Sequence, residues 1–232
     1  PAERLFVASL ATACLAPVRP WPAECDATDR LADWATRDVD NGVPSLLLAD
    51  RARQRNNAAA LLAYLEEAAQ RPRFDDYRNR GAHVIWEEVR ALAGAYDPAA
   101  RALLAASYGA LWTPFATGAI DALCRDGRAP TDAIRAACAA AGNALAQRAA
   151  TWSLRIAGAR LADRSAAAGP AQAVARQQLA DVQRRAFECA EAGNAVAAGL
   201  ESADMATRAR AVAQWEARLA RDAREGEVAA CK

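Results

Sequence analysis

His83 is the sole histidine of the 232-residue chain, so any catalytic triad or imidazole base would have to use it. Glu87 follows four residues later, one helical turn away, where the two side chains could share a metal; Glu88 faces elsewhere on the same helix. The H-E-x-x-H zinc motif needs a second histidine, which this sequence does not contain. Glu66-Glu67, Asp75-Asp76 and Glu87-Glu88 are the kind of acid pairs that glycoside hydrolysis requires. Each lies among arginines, where helix caps and solvated faces use the same residues. Ser107-Tyr108-Gly109 and Ser153 have neither a G-x-S-x-G elbow nor a partner base. The glycines are scattered through helices and turns and build no phosphate-binding loop. The residue inventory therefore gives no reason to expect an enzyme, a metal site or a cofactor.

Sulfur is more informative. Cys14, Cys25, Cys124, Cys138, Cys189 and Cys231 form no C-x-x-C pair, so a zinc site of the usual type is not expected. An even count at wide spacing suits an oxidising compartment, and neighbour pairing (Cys14–Cys25, Cys124–Cys138, Cys189–Cys231) would staple each helix to the next connection. Six reduced, buried cysteines are the alternative. Leu5–Ala16 is as apolar as a signal-peptide core, and Ala-Thr-Ala-Cys resembles a lipobox, which would imply a lipid anchor in the precursor. Leu5, Phe6, Ser9, Leu10 and Ala13 also share one helical face, so an ordered first helix is the expectation. No apolar run is long enough for an integral membrane segment.

The elements that carry these residues are helices. Sixty-seven alanines, few β-branched residues and no alternating hydrophobicity argue for an all-α chain. Ser45–Gln70 reads as two antiparallel helices around the polar turn Gln54–Asn57, with Pro44 at a first helical position and Asn56-Asn57 capping the second helix. Leu61, Leu62, Leu65, Ala68 and Ala69 recur at helical spacing. Arg71-Pro72-Arg73 breaks the chain; Asp75 and Asp97-Pro98 open further helices, and Pro114 bends or splits the latter. Arg125–Pro130 reads as a linker between a hairpin region (1–125) and a bundle region (131–232), packed together as one globular unit. Beyond it, Thr131 caps one long helix reaching Arg164, followed by helices at Ala171–Gly193 and Ser202–Arg224. Three long helices with short loops predict an antiparallel bundle.

The hairpin resembles a tetratricopeptide repeat, a 34-residue helix-turn-helix unit. In that register Ala49 and Ala68 hold the two small-residue positions where paired helices touch. Asp38-Val39-Asp40-Asn41 is similar to the D-P-x-N ending of a preceding repeat, with Leu31 and Trp34 on that repeat's second helix. Ser45, Ala52 and Leu61 depart from the pattern, and the likeness covers roughly Asp26–Asp75. The chain as a whole resembles the small, helical, cysteine-bearing envelope proteins of Gram-negative bacteria. That resemblance implies a periplasmic or secreted protein, and some proteins of the kind are immunity proteins against antibacterial toxins.

The net charge of +1 gives no general attraction to nucleic acid or anionic membranes. Its distribution is uneven. Between Ala23 and Asp50 there are seven acids against Arg30 and Arg37; between Arg51 and Arg80, seven arginines against four acids. Adjacent patches of opposite sign either steer a charged partner or pair within the molecule. Arg71, Arg73, Phe74, Tyr77, Arg78 and Arg80 mix arginine with aromatic rings, as interface hot spots do. The expectation is a non-enzymatic, periplasmic protein-binding protein of the immunity or inhibitor kind, using those six residues. A small-ligand or lipid carrier with an apolar pocket in the bundle is the alternative, and an enzyme using an acid pair comes last.

Overall fold

The computed structural model describes Ala8, Ala11 and residues 29–91, 97–112, 114–125 and 131–231. Among them the chain is all-α, with eleven helices and no strand. In order these are α1 (Arg30–Arg37), α2 (Gly42–Gln54), α3 (Ala58–Gln70), α4 (Arg78–Ala91), α5 (Pro98–Trp112) and α6 (Pro114–Ala122). After 126–130 come α7 (Asp132–Arg148), α8 (Trp152–Ser165), α9 (Pro170–Leu200), α10 (Met205–Glu225) and α11 (Glu227–Ala230). Polar side chains start most of them by taking up amide groups left over in the first turn. Asp29, Asn57, Thr131, Thr151 and Asp204 all accept such a bond. Pro114 splits its helix from α5, because proline lacks the amide that an interior turn requires.

The chain divides into two compact units. Unit 1 comprises Pro1–Asp76 and Pro114–Val182; unit 2 comprises Tyr77–Thr113 and Gln183–Lys232. Each unit therefore draws on both sides of the 126–130 segment, which the sequence marks as a linker. α9 contributes its first part to unit 1 and the rest to unit 2.

In unit 1, α2 packs on α3, α3 on α7, α7 on α8, α8 on α6 and α6 back on α2, closing a ring; α1 lies against α2. Trp34, Leu46, Leu47, Leu65, Ile120, Leu123, Leu145, Leu154 and Leu161 fill its interior with under 2% of their surface exposed. Burial of each such side chain stabilises by about 1.5–3 kcal/mol. Ala49 and Ala68, the small residues of the hairpin, are both fully buried.

The stretch 131–164, which reads as one helix, is two. Ala149 is extended (ψ 144°) and Thr151 caps α8, accepting the Leu154 amide at 3.4 Å. The break is tertiary in origin: the Ala150 amide donates to the Phe74 carbonyl at 2.8 Å, a bond an unbroken helix could not offer. Residues 131–232 therefore hold four long helices rather than three. Gly142 and Gly158 let α7 and α8 approach backbone to backbone. A Cβ on Gly142 would lie 2.6 Å from the Ala162 nitrogen, and one on Gly158 2.5 Å from the Ala146 nitrogen.

In unit 2, α4 pairs with α5, and α10 packs on α4, α5 and α11. The core joins Ala82, Trp86, Ala99, Ala102, Ala105, Leu200, Ala211 and Leu219, flanked by Ile85, Val212 and Trp215. Trp86 and Trp215 meet edge to face, centroids 4.8 Å apart, the arrangement their ring quadrupoles favour.

Two disulfides follow the neighbour pattern, Cys124–Cys138 in unit 1 and Cys189–Cys231 in unit 2. Cys14 and Cys25 lie outside the described residues, as does the N-terminal helix expected over Leu5–Ala16 apart from Ala8 and Ala11, both buried. No helix among the described residues is long and apolar enough to cross a membrane.

Candidate functional site

The turn between α1 and α2 is the centre of a buried polar network in unit 1. Asn41 is 1% exposed, and its side chain uses both ends. Its carboxamide oxygen accepts the amides of Val43 (3.2 Å) and Asp75 (3.0 Å); its nitrogen donates to Asp38 Oδ2 (2.9 Å) and the Asp75 carbonyl (2.7 Å). Asp38, also 1% exposed, accepts from Trp34 Nε1 at 3.3 Å and pairs with the Arg73 guanidinium. The Gly42 amide donates to the Arg73 carbonyl at 2.9 Å, and the Arg73 amide to the Asp40 carbonyl at 3.3 Å. A buried carboxylate with this many donors is compensated. The network fastens the segment 71–76 to the start of α2.

That segment carries half of the residues expected to form an exposed contact surface. Phe74 is fully buried, its ring so close to Gly42 that a Cβ there would collide with it. Tyr77, at the start of unit 2, is also fully buried, and the Arg80 guanidinium lies 5.1 Å from its ring centroid. Both rings are core, so the two aromatic members of the expected hot spot are not at the surface. Arg71 pairs with Glu67, Arg73 with Asp38, and Arg80 donates to the Ala223 carbonyl at 3.3 Å. These three arginines and Arg78 are partly exposed. The sequence signal for a hot spot, arginine beside aromatics, is equally the signal for a buried strap whose arginines snorkel outward.

The opposite charge patches pair largely within unit 1. Arg51 grips Asp29 with two bonds of 2.8 and 2.6 Å. Hydrogen bonding to Arg51 is the main reason the Asp29 carboxyl stays below its ordinary pKa. Asp50 pairs with Arg53 and Asp38 with Arg73 across the two stretches, while Asp33 pairs with Arg37 inside the acidic one.

The candidate catalytic groups are dispersed. Glu67 and Glu87 pair with Arg71 and Arg90 one turn away, and Asp75 lies 3.8 Å from Arg73. Asp76 is 3% exposed. His83 Nδ1 is buried without a hydrogen-bond partner, and Ser107 donates to the Leu103 carbonyl of its own helix at 2.8 Å. Among the described residues, no three His, Cys, Asp or Glu side chains are grouped to hold a metal ion.

Unit 1 also has a cleft of about 450 Å³ between α7, the end of α8 and the start of α9. Ala136, Ala139, Ala162 and Val174 line it, with Ser165 and the Asp132–Arg135 ion pair beside them. Alanines at this spacing on α7 leave a concavity because they fill little volume. Nothing in the one-dimensional pattern distinguishes them from the alanines buried between α7 and α8. The surroundings could take a small apolar group.

Unit 2 presents large apolar side chains to solvent: Val84 on α4, Leu103 and Leu104 on α5, Phe187 on α9 and Met205 on α10, each at least 40% exposed. They escape notice in the sequence because alanine-rich helices offer no clear polar face against which to see them. No family model, curated protein or solved structure matches this chain.

Proposed function

We propose that the protein is a non-enzymatic binding protein of an oxidising compartment such as the periplasm, engaging another protein in the manner of an immunity or inhibitor protein. The observation that carries this reading is the exposed apolar set of unit 2. Five of the seven large hydrophobic side chains found exposed, Val84, Leu103, Leu104, Phe187 and Met205, belong to that unit. Adjoining exposed apolar side chains mark contact sites, and Leu103 and Leu104 stand side by side on α5. Arg78 and Arg80 of the same unit then act by charge, favouring encounter and register, rather than through the ring of Tyr77. The disulfides support the compartment, since such bonds persist where thiols are not kept reduced.

The test is affinity capture from a native extract with the wild-type chain and a Leu103→Asp/Leu104→Asp variant of unchanged helical content. A specific protein retained by the wild type and lost at least tenfold in the variant supports the reading. Equal retention by both overturns it.

A small-ligand carrier is the second reading, favoured by the alanine-lined cleft of unit 1. Its signature would be a stoichiometric small molecule released on denaturation and detected by mass spectrometry.

A further inference from the structure

Cys189 lies on α9 and is 3% exposed, whereas its disulfide partner Cys231, just beyond α11, is exposed. The two residues of one bond thus meet different surroundings. Arg218 of α10 places Nη2 3.7 Å from Cys189 Sγ and 3.5 Å from the Cys189 carbonyl oxygen. α9 admits that guanidinium through a glycine. A Cβ on Gly193 would stand 2.7 Å from Arg218 Nη1. Asp222, one turn along α10, lies 3.8 Å from Arg218 Nε and holds the side chain from its other end.

We infer that Cys189–Cys231 is a site of reversible thiol modification, at which a small thiol of the glutathione class becomes joined to Cys231 while Cys189 departs as a thiolate beside Arg218. The incoming thiol first gives its proton to solvent, and its sulfur attacks Cys231 Sγ. A new S–S bond forms, the Cys189–Cys231 bond breaks, and the bonding pair goes to Cys189 Sγ. The incoming sulfur is oxidised into the mixed disulfide and Cys189 is reduced, so no further oxidant is consumed.

Two features fix the direction of attack. Cys231 is the exposed residue of the pair and Cys189 the buried one, so an external thiol approaches the bond from the Cys231 side. The guanidinium selects Cys189 as the leaving group, because a neighbouring arginine lowers a thiol's pKa and the more acidic thiol leaves faster. Return of the Cys189 thiolate onto Cys231 expels the small thiol and restores the bond. While modified, α11 has lost its covalent tie to α9 and is held by packing on α10, with Val228 buried.

Cys124–Cys138 supplies the comparison within the same molecule, since Cys138 is fully buried and Cys124 half-buried. The experiment incubates the full, oxidised chain with reduced glutathione at fixed pH, quenches by alkylation and maps peptides by mass spectrometry. A glutathione adduct on Cys231, with Cys189 alkylated, is expected before Cys124 or Cys138 reacts. Arg218→Gln should form that adduct roughly three- to tenfold more slowly, and Arg218→Lys, which keeps the charge, should stay near the wild-type rate. An adduct on Cys189 overturns the inference, as does earlier opening of Cys124–Cys138 or an Arg218→Gln rate equal to wild type. The order and position of reaction in the wild-type chain decide the matter even if a variant fails to fold.

Discussion

Asn41 shows how much one buried amide can do. Its side chain caps α2 through Val43, ties in the backbone of Asp75 at both amide and carbonyl, and supports Asp38. Truncation to alanine would strand several of these groups in a site that water does not reach, at about 1–3 kcal/mol for an unsatisfied buried group. Asn41→Ala is expected to lower stability by at least that amount in denaturant titrations; a loss below about 0.5 kcal/mol would mean that water replaces the side chain. Asp222 is the opposite case. Burial, reinforced by Glu227 and Glu225 and opposed by Arg218 and Arg221, raises its pKa from 3.8 to about 6. The folded chain holds this proton more tightly than the unfolded one, so the stabilisation is complete below 3.8 and is lost as pH rises through about 6. A rise of that size corresponds to about 3 kcal/mol, which partial solvent access reduces to on the order of 1 kcal/mol. Asp222→Asn should therefore flatten the fall in melting temperature between pH 4 and pH 7. Parallel pH profiles for variant and wild type would contradict this placement of the charge.

At the scale of elements, the helical hairpin at the front of the chain was legible because its signals are local. Asn57 caps α3 as its residue type suggests, and the leucines at 61 and 65 fall on the buried side. Ala49 and Ala68, one on each of two helices that pack together, are both fully buried. Ala49→Leu should overpack that crossing and cost about 1–3 kcal/mol, read by chemical denaturation; a neutral result would require the two helices to separate without penalty. The Cys124–Cys138 and Cys189–Cys231 pairs were legible as well, since both join neighbours in the cysteine order. The break at Ala149–Thr151 was not. Its cause is the Phe74 carbonyl, far away in sequence, and a run of alanine, threonine and tryptophan carries no local mark of it. Phe74 and Tyr77 misled for a related reason: polar neighbours suggested a surface strap, while Gly42 had cleared a socket for the Phe74 ring. At the candidate sites, Arg218 was illegible, because its meaning depends on Cys189 and Gly193 from another helix.

For the molecule as a whole, composition decided the class. Alanine in such excess leaves helix as the one economical backbone state, and the described residues contain no other regular element. What composition does not determine is the order in which the chain visits its two units. Residues 77–113 and 183–232 form one unit, and the stretches on either side of 77–113 form the other. A ribosome therefore delivers the first half of unit 1, then half of unit 2, before either has its complement. The leucines of α2 and α3 wait for α6 and α7, and Trp86 waits for Trp215. Such separation raises contact order and slows folding relative to a simple up-and-down bundle. A fragment ending at Thr113 is expected to lack a cooperative thermal transition by circular dichroism, whereas one that melts sharply would show α1–α3 to be self-sufficient. Until the stretch ending at Val182 has emerged, the nascent chain has no finished core, and unit 2 stays open to proteases and to the thiols around it until 183–232 follow.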